Sequence, residues 1–453
     1  MKEISLIQPD FVPPAGKSKK LVDDLVKSWR MGRMEGAGEI GAIADFLTNP
    51  EATPNAMKAV RGGPIYRFLL DFIRYLKTPP SSPSQWIERV KKERGWGEVP
   101  LAVVATASAT GGLTAALTAA GVAGGEVITA SYNYVGVVAA IVAAGGIPRF
   151  VDIDPQTWCM DPAAVESALC GETKAIVLTH VNRFADLDPF EEIYKRRGLE
   201  IPLVQDASLA VASTREGVHP GLVNLGEGGV TVMSFTVSKI FSGMGGGVIC
   251  SNSLETIELL NDMVHQGVMA ADPSVISCFG MNSKMSALNA LVVHELLKRR
   301  ERIVSIRRDL AGFYAKHLAP LIEDGHVAIQ DLGDEAVVTH YGVVMPPDAK
   351  SCLEELYNRF GIHTGMWHAH HSQELYKMLL ENRTDSLTAT NELASRIIFF
   401  PFHTAMGEED VAFVCKALAE VIGESKARPS KKPSRGRGAA SSKPARRRPG
   451  RPR

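Results

Sequence analysis

Between residues 100 and 252 the chain alternates short apolar runs with helical ones, and this restricts the fold more than any other feature. "PLAVVATAS" reads as a strand and "TGGLTAALTAAGV" as a helix. "GEVITAS" and "VGVVAAIVAAGG" repeat the order, and "IPRFVDID", "DPAAVESAL", "KAIVLTHV", "PFEEIYKRRG" and "IPLVQDAS" continue it. Neighbouring strands joined by helical crossovers run parallel, so the pattern predicts an α/β domain with a mostly parallel central sheet covered on both faces. Ligands of such sheets gather beyond the carboxyl ends of the strands. A helical pattern, "MSALNALVVHELLKRRERIVSIRRDLAGFYAKHL", is expected to break somewhere and lead to a smaller C-terminal α+β unit.

Ahead of this region, "PIYRFLLDFIRYLKT" places Ile65, Phe68, Leu69, Phe72, Ile73 and Leu76 on one helical stripe. "SPSQWIERVKKERGWG" reads as a further short helix with a Ser/Pro start. The expected organisation is an N-terminal helical segment with an insertion over 1–99 and a large domain over 100–310. A small domain over 311–425 and a basic tail over 426–453 follow.

Charge separates the tail from the rest. Of the 50 Lys and Arg residues, 12 lie between Lys426 and Arg453, where no acid occurs; the remaining chain carries 38 bases against 50 acids. The tail holds no aliphatic residue larger than Ala and cannot bury apolar surface, so disorder and weak, salt-sensitive polyanion binding are expected of it. Six cysteines without a CxxC pair argue against a zinc site or a disulfide framework and suit a reducing compartment. No long uncharged apolar run suggests a membrane span, and "MKEISLIQPDFVPP" lacks the pattern of a secretory signal, so a cytoplasmic protein is expected.

The strand ends carry chemistry. Ala109 and Thr110 open a helix with two glycines, where free N–H groups and the helix dipole favour a phosphate. A tyrosine, Tyr132 or Tyr134, follows the next strand. Asp206 ends an apolar strand, and buried carboxylates are rare without a cationic partner. Ser234 and Lys239 follow "GVTVM". Each signal alone is matched by an ordinary structural use: a capped turn, a core tyrosine, an N-cap, a solvated lysine. Together they supply what pyridoxal phosphate needs: a phosphate seat, a flat face, an anion for the ring nitrogen and an amine for the aldehyde. "GMGGG" is no dinucleotide loop, because a strand follows it where that motif opens a helix.

The stretch from Leu101 to Leu297, and more loosely to Gly423, resembles the DegT/DnrJ/StrS family of fold-type-I pyridoxal phosphate enzymes, the sugar aminotransferases. "SATGGL", "GEVITASYNYVGVVAAI", "FVDIDPQTWCMDPAAVESAL", "KAIVLTHVNRFADL", "LVQDAS", "SFTVSK" and "MNSKMSALNAL" carry the resemblance in order and spacing. It implies that Lys239 carries the cofactor, that Asp206 pairs with its ring nitrogen, and that Tyr134 stacks on it. Ala109, Thr110 and Ser234 would bind its phosphate. Asn282 would reach the phosphate of a neighbouring subunit, which implies a homodimer. His180 and His370 are implied candidates to line the substrate pocket. Glutamate or glutamine is the implied donor, and a keto sugar, usually nucleotide-linked, or a cyclitol the acceptor. Departures lie around the substrate: Leu209 stands where the family has Gln or His, Met244 replaces a glutamate, Lys284 replaces an arginine, and residues 50–97 resemble an insertion.

The expected function is therefore transamination of a keto sugar. A dehydratase on the same scaffold is the alternative enzyme, and a non-catalytic regulatory protein with a nucleic-acid-binding tail is the alternative from another class. The histidines of "WHAHHSQELY" lack an acidic or cysteine partner at ligand spacing, so no metal is expected.

Overall fold

The computed structural model describes residues 64–77, 101–270, 272–347, 349–379 and 386–427. The expected helix within 82–97 and residues 428–453 of the basic tail lie outside them.

Seven strands form one sheet: β1 (Ala102–Thr106), β2 (Glu126–Ala130), β3 (Ile147–Val151), β4 (Thr173–Thr179), β5 (Leu203–Asp206), β6 (Val230–Ser234) and β7 (Gly247–Ser251). Their spatial order is β1-β7-β6-β5-β4-β2-β3. The pairs from β3 to β6 are parallel. β7 alone runs against both of its neighbours, because residues 235–246 hold no helix to carry a crossover. β1 therefore points the same way as β6, and the carboxyl ends of six strands share one edge. Every residue of β2, β5, β6 and β7 is buried, as a sheet covered on both faces requires.

The helix Pro64–Leu76 corrects the expected boundary at residue 99. Phe68, Phe72 and Leu76 are fully buried in the same core as Phe235, Phe241 and Met233 of the large domain. Each such side chain contributes about 1.5–3 kcal/mol by leaving water. Asp71 of this helix also lies 3.1 Å from His294 on the helix Ala287–Leu297.

The long helical pattern breaks at Lys298 and Arg299, between Ala287–Leu297 and Arg300–Glu323. The second half enters a separate core with a three-stranded antiparallel sheet, β8 (Ala328–Ile329), β9 (Tyr341–Val344) and β10 (Ile397–Phe400). Tyr314 stacks on Tyr341 there, with ring centroids 4.5 Å apart, and its hydroxyl donates to the Pro401 carbonyl at 2.6 Å.

Asn182 joins the two units. Its Nδ2 donates to Gln330 Oε1 at 3.0 Å and to the His340 carbonyl at 2.9 Å, and its Oδ1 accepts from the amides of Thr339 and His340 at 3.0 and 3.3 Å. It holds a left-handed backbone with φ of 62°, which asparagine tolerates better than most residues. Asn182→Ala should lower the unfolding free energy by on the order of 2 kcal/mol or more, because buried partners lose their bonds. Asn182→Gly relieves the backbone and loses the same bonds. Chemical denaturation should show both variants destabilised; a wild-type midpoint for the glycine variant would assign the effect to backbone strain alone.

Candidate active site

The strand edge gathers the residues in question because β1, β5 and β6 end together. Beyond β1, Ser108 caps the helix Ala109–Ala119 by accepting from the Gly111 amide at 3.0 Å. The glycine run seats this helix against the sheet. A Cβ on Gly247 would lie 2.8 Å from both the Ala109 nitrogen and the Met233 carbonyl oxygen, so only glycine lets the helix end meet the strand that carries Ser234. Ser234 Oγ lies 3.2 Å from Thr236 Oγ1. Ser283 is the neighbour of Gly111 from within this chain, and its carbonyl accepts from the Ala107 amide at 2.7 Å.

Asp206 is buried at the end of β5, and its Oδ1 accepts the Ser208 amide at 2.9 Å. Burial raises its carboxyl above the usual range, against the hydrogen bonds from Ser208 and the positive charge of Lys239. Lys239 is 9% exposed. Burial lowers its amine to about 8, while Asp206 pulls it the other way. Among the described residues the amine forms no ion pair. It lies 5.6 Å from the ring centroid of Tyr134, which is half exposed. A buried lysine left partly neutral, an anion within its field, an aromatic face and a capped helix N-terminus suit pyridoxal phosphate in size and charge.

The two candidate substrate histidines are both buried. His180 is fully buried: its Nδ1 accepts the Ala185 amide at 3.1 Å, so Nε2 carries the proton and donates to Gln205 Oε1 at 3.0 Å. Burial lowers it to about 4, which keeps it neutral. His370 bonds the Asn133 carbonyl at 3.0 Å and stacks on Phe150 at 6.1 Å. His371 is held by Ser131 and Asn391, His368 is exposed, and no group of three metal-ligating side chains occurs among the described residues. Asn282 is exposed, paired across a bridge with His265.

His340 is the residue that the sequence did not reveal. Thr339 bonds the Leu209 carbonyl at 2.9 Å, which places the small domain beside the chain leaving Asp206. His340 follows, lowered to about 3 by burial and then by the charges of Lys239 and Arg307. No spacing rule links residues 340 and 239.

Residues 100–419 match the DegT/DnrJ/EryC1/StrS aminotransferase family. The chain belongs to this family. It is a pyridoxal phosphate-dependent aminotransferase of fold type I. The chain is 28% identical over 329 residues to 3-oxo-glucose-6-phosphate:glutamate aminotransferase of Bacillus subtilis, covering 71% of this chain and 72% of that one. It is also 28% identical over 302 residues to a pleiotropic regulatory protein of Geobacillus stearothermophilus, covering 66% and 78%. A crystal structure of NtdA from Bacillus subtilis with the cofactor PMP bound has a TM-score of 0.62 at 24% identity, covering 80% of this chain and 82% of that one.

The lowered amine sets a pH dependence. A lysine reacts with an aldehyde only when neutral, so capture of pyridoxal phosphate by cofactor-free protein should rise with pH through about 8 and then level. Stopped-flow absorbance should show that midpoint. A midpoint near the ordinary lysine value of about 10.4 would mean that Lys239 is solvated.

Proposed function

We propose that this aminotransferase moves an amino group from glutamate or glutamine to a keto sugar or a related cyclitol, with Lys239 and Asp206 as its central pair. The observation that carries the reading is the buried amine of Lys239, with no ion pair among the described residues, within the field of Asp206 and 5.6 Å from the Tyr134 ring at the carboxyl edge of the sheet. The relative acting on a 3-oxo sugar phosphate supports the acceptor class.

When bound, pyridoxal phosphate supplies an electron sink for the carbon that loses its proton. Asp206 would hold the ring nitrogen protonated. Ala109 and Thr110, at the head of their helix, and Ser234 would hold the phosphate. Tyr134 would cover the ring. Lys239 would take the proton from the donor's Cα through Nζ and return one as acid. Leu209 has no side-chain hydrogen bond to offer, and Asp206 instead accepts the Ser208 backbone amide.

We read the working form as a homodimer in the cytoplasm. Ile276 and Phe279 are 66% and 97% exposed on the segment leading to Asn282, as expected of surface that a second copy covers. All six cysteines are free. Among the described residues no helix is long and apolar enough to cross a membrane. The basic tail is a weak polyanion-binding appendage on this reading.

The test is direct. Cofactor-loaded protein should absorb at about 410–430 nm, as expected of pyridoxal phosphate joined to a lysine, and lose that band on adding glutamate or glutamine. Borohydride should fix the cofactor to the peptide holding Lys239. Asp206→Asn should slow the donor half-reaction by about 10²-fold. Mixed dimers of Lys239→Ala and Asn282→Ala subunits should regain activity above either parent. A loaded protein indifferent to both donors would favour the regulatory reading, which the Geobacillus relative makes the specific rival.

A further inference from the structure

The helix Pro64–Leu76 lies ahead of the family match at residue 100, yet it touches the catalytic loop on both sides of Lys239. Phe235 stands four residues before the lysine. Its ring takes edge contacts from Phe68 at 5.5 Å and Phe72 at 5.6 Å, with interplanar angles of 90° and 86°. Phe241 stands two residues after the lysine and meets Tyr75 edge-on at 5.7 Å and 87°. The Phe235 backbone is also the hub of the loop: its amide donates to the Gly246 carbonyl at 2.9 Å, and its carbonyl accepts from Gly243 and Gly245 at 2.8 and 3.2 Å. Tyr75 reaches the other half of the pair as well. Its hydroxyl donates at 3.2 Å to the carbonyl of Val211, five residues past Asp206. Its ring packs on His219 with centroids 4.6 Å apart.

We propose that the helix Pro64–Leu76 is a positioning element for the reaction, in which Phe68, Phe72 and Tyr75 hold the Lys239 loop and the chain leaving Asp206 in fixed relation. Edge-to-face pairs are directional, so they set the loop's orientation as well as burying it. The loop is otherwise rich in glycine, with Gly243, Gly245, Gly246 and Gly247 after the lysine, and has little stiffness of its own. With Phe235 and Phe241 anchored to one rigid helix, Lys239 sits on a short span held at both ends. The inference rests on the assignment of Lys239 as the cofactor lysine.

The experiment uses full-length Phe72→Ala/Tyr75→Ala, Tyr75→Phe and Asp71→Asn. On cofactor-free protein, the pH midpoint of Lys239 methylation by formaldehyde and cyanoborohydride is read by mass spectrometry. On loaded protein, the rate of the absorbance change with glutamate is read. The double variant should shift the midpoint up by about one pH unit toward that of a solvated lysine and slow the half-reaction by about tenfold or more. Tyr75→Phe keeps the ring against Phe241 but removes the bond to Val211, so it should keep the Lys239 midpoint and slow the half-reaction less than the double variant does. Asp71→Asn, on the ion-paired side of the helix, should lower the unfolding temperature and leave the midpoint in place. A folded double variant with wild-type midpoint and rate overturns the proposal. If the double variant does not fold, Phe72→Leu replaces it, and an unchanged midpoint there overturns the proposal equally. Borohydride fixing the cofactor to another lysine in the wild type would instead overturn the assignment of Lys239, which separates the two failures.

Discussion

Lys239 and Asp206 are two ionisable groups buried at one edge of a sheet, with no ion pair formed between them. Holding a charged amine at that depth costs on the order of 3 kcal/mol relative to water, from the fall of its titration to about 8. An ion pair would relieve this cost and leave the amine protonated. Each group is also held by its own surroundings. Asp206 is engaged by the Ser208 amide, and Lys239 rides on a loop whose backbone is tied through Phe235. A cofactor that brings its own cation to Asp206 and its own aldehyde to Lys239 would satisfy both.

The sheet order makes this arrangement possible. β7 returns antiparallel between β1 and β6, so its first residue, Gly247, pairs with both Thr106 and Ser234. The head of the helix Ala109–Ala119 is thereby brought beside Ser234. The small domain closes the other side through Asn182, which sets the backbone of Thr339 and His340. Residues far apart in the chain meet because each lies just past a strand end or on a segment hydrogen-bonded to one.

Much of this was legible in the chain. The alternation from 100 to 252 led to the parallel sheet, and the order of Thr110, Asp206, Ser234 and Lys239 led to the cofactor. The break at Lys298 and Arg299 lies within the expected stretch. The stripe of Phe68, Phe72 and Leu76 showed that its helix buries a face, but a stripe does not say against what. The helix was therefore set apart from a core to which it belongs. The resemblance implied His180 and His370 as pocket residues but could not show what their rings touch: His180 bonds Ala185 and Gln205, and Nε2 of His370 bonds the Asn133 carbonyl.

The sequence by itself determined the class of sheet and the edge at which its strands end together, and it pointed to Lys239 and Asp206 as the proposed central pair. Those depend on local periodicity and on residue type at strand ends, both of which short windows of sequence carry. The tertiary structure alone decided which helix braces the Lys239 loop and which backbone groups the buried His180 and His370 bond. Most of those outcomes depend on contacts between residues far apart in the chain, such as Tyr75 with Val211 across 136 residues or Ser131 with His371 across 240. Long-range pairing follows from how the elements pack, and packing is a property of the whole core rather than of any stretch within it.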